Sequence, residues 1–230
     1  MRVYVAAARK QKRFVQLERR RARAPHGIKT RVCLLPKPPS RCYPAASDMP
    51  GPTPTVTAYL SLGSNIGNRA ENLAHAIAEL PAHGVRVLRQ SALYETEPVE
   101  MRDQAWFLNC ALEVETKLSA EDLLCALLTI ERGMGRRRIQ PKGPRIIDID
   151  ILLFGDRTIC MSDPVALLDA PMELQNKISL EIPHPGMPHR RFVLVPLAEI
   201  APQARHPALG KTVAELLAET KDESIVRKSS

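Results

Sequence analysis

The chain has 230 residues, 44% of them hydrophobic, and a formal net charge of +8. That length supports one sizeable core or two small ones, and no apolar run reaches the ~20 residues of a membrane-spanning helix. The charge is unevenly placed: residues 1–49 carry 13 Lys and Arg against Glu18 and Asp48, whereas residues 50–230 carry 20 against 23 acids. A basic, nucleic-acid-binding folded domain is therefore disfavoured. The five cysteines are odd in number and match no zinc spacing, which points to a reducing, cytoplasmic setting.

Residues 1–55 contain RKQKR, ERRRAR, PKPPS and MPGPTPT, a composition that does not build a core. They are expected to form a basic, Pro-rich, disordered extension or an artefact of start assignment, ahead of a transit peptide. From Val56 the pattern changes. TVTAYLSLGSN alternates Val56, Ala58, Leu60 and Leu62 against Thr57, Tyr59 and Ser61, which predicts a strand. Asn68 with Glu71 marks a helix start, and Leu73, Ile77 and Leu80 form its apolar stripe up to Pro81. VRVLRQSALYET reads as a second strand and FLNCALEVET as a third. Ser119 with Asp122 opens a second helix that stops near Gly133. RIIDIDILLFG reads as a fourth strand. Beyond it come an irregular stretch, then RFVLVPLAEIAP, then a short helix at Val213–Glu219.

The order βαββαβ predicts an α+β fold with a ferredoxin-like core: an antiparallel sheet, two helices on one face and the active site on the other. Residues 56–220 would form this domain and 221–230 a C-terminal tail. Later residues must cover the second face or leave it partly open. Strand alternation assigns the faces. In the fourth strand Ile147, Ile149, Ile151 and Leu153 share the helix side, and Asp148, Asp150 and Leu152 the other. In the third, Leu108, Cys110, Leu112 and Val114 are opposed by Phe107 and Asn109.

Asp148 and Asp150 thus stand side by side, about 7 Å apart at Cα. Paired carboxylates on a rigid strand suit a hard divalent cation completed by phosphate and water. Alone, the Asp-x-Asp pattern fits a solvated face paired with arginine equally well. The company shifts the balance: Arg136, Arg137, Arg138, Lys142 and Arg145 lie just upstream, and cations beside paired acids suit a polyphosphate bridged by Mg²⁺.

SLGSN, then GRRR followed by GPRIIDIDILLFG, then PHPGMPHRRFVLVPLAEIAP together resemble the 6-hydroxymethyl-7,8-dihydropterin pyrophosphokinase family of folate biosynthesis, over roughly Val56 to Leu217. The resemblance implies transfer of pyrophosphate from ATP to the pterin hydroxymethyl oxygen, with release of AMP. It implies two Mg²⁺ ions on Asp148 and Asp150. It places ATP against Glu131, Arg136, Arg138, Ile151, His184 and Arg190. It places the pterin against Phe107, Asn109 and Phe192, with Thr96 and Pro98 in the bordering loop. Arg138, Arg145, Asp148 and Asp150 would carry the chemistry. Loops near 95–106 and 133–144 would close over the substrates. ATP and the pterin are the expected partners, with no nucleic acid or membrane, and the expected state is a monomer.

Three departures stand out. Pro141-Lys142 replaces the Arg-Trp that the family commonly shows before GPR. Glu97 stands where proline is frequent. A stretch near residues 163–178 is longer than the family needs. Two rival readings are an RNA-binding module using an open sheet face, where Phe107 is the one aromatic noted on the central strands, and a homologue that binds pterin without turnover.

Overall fold

The structure, a computed structural model, describes residues 54–99, 103–136, 143–161 and 180–229. The chain divides between Met49 and Pro50 into two units, and the described residues all belong to the second. The basic leader, Arg137, Arg138, Pro141-Lys142 and the stretch at 163–178 lie outside them.

The elements in chain order are β1 (Val56–Ser64), α1 (Arg69–Glu79), β2 (Val85–Gln90), β3 (Tyr94–Thr96), β4 (Phe107–Thr116), α2 (Ala120–Gly133), β5 (Asp148–Phe154), β6 (Ile159–Met161), β7 (Leu180–Ile182), α3 (Arg191–Ile200), α4 (Val213–Glu219) and β8 (Val226–Lys228). The main sheet runs β5-β1-β4-β3-β8, with β2 also paired to β4, and every pairing is antiparallel. β6 and β7 form a separate two-stranded sheet. The expected ferredoxin-like core is present. No helix among the described residues is long and apolar enough to cross a membrane.

The two helices of the βαββαβ core start where the caps predict. Asn68 accepts from the Glu71 N–H at 3.3 Å, and the Ser119 hydroxyl accepts from the Asp122 N–H at 3.1 Å. Each cap satisfies one of the donors that a helix start leaves open. Leu73 and Ala76 of α1 and Leu123 and Leu127 of α2 then bury against the inward residues of β1, β4 and β5. Each such large side chain contributes ~1.5–3 kcal/mol of burial.

The second face is covered by α3 and α4. Val193, Leu194 and Leu197 pack with Ala111, Leu152 and Leu153. Among the described residues, the part of this face around Ala111, Leu152 and Leu153 is thus closed to the base stacking that RNA-binding sheets use. Tyr59 and Tyr94 also share this face, contrary to the count of one aromatic. Tyr59 packs into the α3 cluster, and the Tyr94 hydroxyl donates to Glu199 of α3 at 2.9 Å.

Several boundaries differ from expectation. The second strand is two strands, β2 and β3, both paired to β4. Between them the Ser91 hydroxyl accepts the Ala111 N–H at 2.9 Å, so a side chain replaces a ladder partner. Thr96 lies at the end of β3, paired with Phe107, and not in a loop. Leu153 faces α3 and not the helix pair. Leu60 pairs with Ile151 but Tyr59 with Leu153, so Leu152 is an extra residue, a β-bulge that reverses the alternation. The segment expected to be a C-terminal tail carries β8 on the sheet edge.

Candidate active site

The central strand β1 sets the geometry. Gly63 pairs with Asn109 of β4 on one side and with Asp148 of β5 on the other; Ser61 pairs likewise with Ala111 and Asp150. Directly paired residues share a sheet face, so Asn109 and the two aspartates look onto the same side. Asn109 and Asp148, two strands apart, are separated by about 10 Å. Gly63 clears the space between them: a β-carbon there would lie 2.4 Å from the Asn109 side-chain oxygen.

At the β5 end the charges form a connected cluster. Arg145 pairs with one oxygen of Asp148, and Arg136 with the other at 2.6 Å. Arg136 also pairs with Glu131, whose carboxylate accepts the Ile149 N–H at 2.7 Å. Glu131 is 2% exposed, and burial raises its pKa although Arg136 opposes this. Burial works to lower the pKa of Arg136, but Asp148 and Glu131 outweigh it and keep the guanidinium charged. Asp150 is pushed up to about 7 by burial, then by Asp148 and Glu131, with Arg136 and Arg145 offsetting only part.

A third contribution comes from the loop before α3. The His184 N–H donates to the Leu152 carbonyl at 3.0 Å, which anchors the loop to β5. The His184 Nδ1 accepts the Gly186 N–H at 3.0 Å. Burial, then Arg190, lowers the His184 pKa, so the ring is neutral with its proton on Nε2. Arg190 folds over Gly186, where a β-carbon would fall 2.8 Å from the guanidinium carbon. The same guanidinium lies 5.8 Å from the ring centroid of Phe192.

At the β4 end the Asn109 amide nitrogen donates to the Thr96 hydroxyl at 2.7 Å. Both residues are buried, as is Pro98, whereas Phe107 is half-exposed. Phe192 packs against the α3 cluster on its inner side.

The structure thus brings Glu131, Arg136, Arg145, Asp148 and Asp150 into one cluster, and Thr96, Phe107 and Asn109 into another across Gly63. The Ile151 side chain is buried among the helix-side residues, so any contact it makes with nucleotide runs through the main chain. Arg138 lies outside the described residues.

Sequence reading singled out no role for Asn65, which joins the two clusters. Its Oδ1 accepts the Arg145 N–H at 2.8 Å, and its Nδ2 donates to Gln104 and to the Ala105 carbonyl at 3.1 and 3.3 Å. A buried amide after an apolar strand is the available signal. Glu97, a departure from the family pattern, lies among the described residues. Its Oε1 accepts the Ile225 N–H at 2.9 Å.

Paired acids, clustered arginines and a neighbouring half-exposed aromatic on an α+β sheet are a set of groups suited to binding a polyphosphate beside a flat ring. Residues 59–202 match the family model for 7,8-dihydro-6-hydroxymethylpterin-pyrophosphokinase (HPPK). The chain belongs to that family, whose named members are pyrophosphokinases of folate synthesis. It is 43% identical over 171 residues to the 2-amino-4-hydroxy-6-hydroxymethyldihydropteridine pyrophosphokinase of Methylorubrum extorquens, covering 74% of this chain and 97% of that one. It is 38% identical over 167 residues to the folic acid synthesis protein fol1 of Pneumocystis carinii, covering 73% of this chain. The match spans only 20% of the length of that fungal protein. A crystal structure of a Plasmodium falciparum HPPK-DHPS variant with pteroate shares the fold, with a TM-score of 0.58 at 22% identity over 74% of this chain and 44% of that one.

Proposed function

We propose that the chain transfers the pyrophosphoryl group of ATP to 6-hydroxymethyl-7,8-dihydropterin in folate biosynthesis, giving the pterin diphosphate and AMP. The observation that carries this reading is the placement of Asp148 and Asp150 on the sheet face away from α1 and α2, beside Arg136 and Arg145. Family membership supports the same reaction.

The donor set fits Mg²⁺. Two hard carboxylates at alternate strand positions face one way, and burial, then the neighbouring acids Asp148 and Glu131, raise the Asp150 carboxyl. Among the described residues no group of three or more His, Cys, Asp or Glu could hold a metal. The two carboxylates are a partial ligand set of the kind that Mg²⁺ commonly completes with phosphate and water. In this reading Asp148 and Asp150 hold two Mg²⁺ ions. When bound, they supply charge neutralisation to the polyphosphate.

The residues of the chain do the rest. Phe107 and Phe192 sandwich the pterin ring, Asn109 reads its edge, and Thr96 and Pro98 border it. Thr96 fixes the Asn109 amide so that its remaining polar sites face the ligand. Arg136, Arg138, His184 and Arg190 grip the nucleotide and its phosphates. Glu131 orients Arg136 and the β5 main chain. Neutral His184 donates from Nε2. The hydroxymethyl oxygen attacks the β-phosphorus, the bond from that phosphorus to the α,β-bridging oxygen breaks, and AMP leaves with the electron pair. The hydroxyl proton passes to solvent. Arg138 and Arg145 stabilise charge on the departing phosphate, and positioning supplies much of the rate. A monomer in the cytoplasm completes the reading; the three described cysteines, Cys110, Cys125 and Cys160, are free, as a reducing compartment would keep them.

Incubating the full chain with Mg²⁺, ATP and hydroxymethyldihydropterin tests the reaction. AMP and pterin diphosphate in equal amounts are expected. ADP, or no pterin-dependent nucleotide product, would contradict it.

A further inference from the structure

We infer that the C-terminal segment 222–229 is a positioning element for the pterin pocket, holding both of its walls through Arg227 and Asp222. This rests on the assignment of Phe107, Asn109 and Phe192 to the pterin.

The first wall is the end of β3 and the run into β4. β8 pairs with β3, setting Val226 opposite Thr96 and Arg227 opposite Glu95. Just before Pro98, the Glu97 N–H donates to the Ile225 carbonyl at 3.2 Å and the Ile225 N–H donates to Glu97 at 2.9 Å. The Arg227 guanidinium lies 4.8 Å from the ring centroid of Trp106, the residue preceding Phe107. A cation over an indole face is attractive by ~0.5–1 kcal/mol at an exposed site. The Trp106 carbonyl accepts from Arg69 at 2.9 Å, so the residue is held from two sides.

The second wall is the start of α3, which carries Phe192 beside Arg190. This helix has no side-chain cap from its own N-cap residue. Asp222 supplies one from a distance: its carboxylate accepts the Arg191 N–H at 2.7 Å. A carboxylate at a helix start also complements the helix dipole. Asp222 accepts the Ser224 N–H at 2.9 Å as well, which turns the chain toward β8. Lys228 closes the arrangement by pairing with Glu199 of α3 at 3.0 Å.

One short segment thus fixes the spacing between the β3–β4 side and the α3 side. A strand that only sealed the sheet edge would need neither the Trp106 contact nor the cap on α3. Glu97 also finds its reason here, since proline at that position would remove the N–H that Ile225 receives.

The test compares Arg227→Ala, Asp222→Ala and Asn109→Ala in the full chain. The measurements are KM and Kd for the pterin, Kd for a non-hydrolysable ATP analogue, and kcat per titrated active site. Arg227→Ala is expected to raise pterin KM and Kd about 2- to 5-fold, with ATP-analogue affinity and kcat unchanged within error, and Arg227→Lys to recover part of the loss. Asp222→Ala should act in the same direction. Asn109→Ala should raise pterin Kd more than tenfold. If Asn109→Ala weakens pterin binding but Arg227→Ala does not, the inference fails and the pocket assignment stands. If Arg227→Ala weakens both ligands equally, the segment is structural only and the inference fails. If Asn109→Ala leaves pterin affinity unchanged, the pocket assignment fails and the inference with it.

Discussion

The side-chain oxygen of Asn109 occupies the space above Gly63, 2.4 Å from where a β-carbon on that glycine would fall. The two residues are paired across β1 and β4. Asn109 is held in turn by Thr96 at 2.7 Å, so it has little room to yield. Gly63→Ala should therefore displace the amide, raise pterin Kd at least tenfold and leave the ATP-analogue Kd within twofold. Calorimetric titration of each ligand measures this. Equal loss of both affinities would point to general misfolding.

Asn65 is 5% exposed and spends both ends of its amide on different parts of the site. Asn65→Ala strands the Arg145 N–H and the Ala105 carbonyl. Ala105 is exposed and Arg145 half-exposed, so water recovers part of the loss and each lost hydrogen bond costs ~1 kcal/mol. Urea denaturation should show a loss of that order, and KM should rise for both substrates together, in contrast to Gly63→Ala.

Asp150 sets a pH dependence on stability. Its carboxyl titrates near 3.8 when unfolded and is pushed up to about 7 when folded. Below the lower value both states hold the proton and nothing is lost. Between the two values only the folded state holds it, so stability falls as pH rises. Above about 7 the full cost is present, at most about 4 kcal/mol. Asp150→Asn removes that cost. Without divalent cations, its melting temperature should exceed that of the wild type by several degrees at pH 8, and the gap should close toward pH 4. Added Mg²⁺ and ATP should stabilise the wild type more than the variant. Scanning calorimetry over pH gives the answer.

Glu131→Ala should destabilise the fold. The residue is buried and serves both Arg136 and the Ile149 N–H. Removing it leaves a shielded guanidinium with one partner fewer and a main-chain donor with none, a change of ~3 kcal/mol. Glu131→Gln keeps an acceptor for Ile149 and should lose less. Equilibrium unfolding of the pair separates the two contributions.

The element order of the core and the facing of its residues were legible because Leu60, Leu62, Leu108, Cys110, Ile147 and Ile149 alternate cleanly, and alternation has one physical meaning on a strand. The same rule put Asp148 and Asp150 on the correct side. It failed at Leu153, since a bulge adds a residue without changing composition. It failed at Ser91, where a hydroxyl substitutes for a ladder partner. β8 was unreadable because Val226–Lys228 is short, mostly polar and borrows its order from β3. Among the site residues, Asp148 and Arg145 were visible as a motif. The joining role of Asn65 was not, because its partners Arg145 and Ala105 lie 80 and 40 residues away.

The most direct test of the account is the rate of pterin-dependent AMP formation by Asp150→Ala at saturating Mg²⁺ and ATP, with folding confirmed by circular dichroism. A fall of a thousandfold or more is predicted, since the variant keeps the sheet but loses half of the carboxylate pair. A rate within threefold of the wild type would contradict the role assigned to the two aspartates.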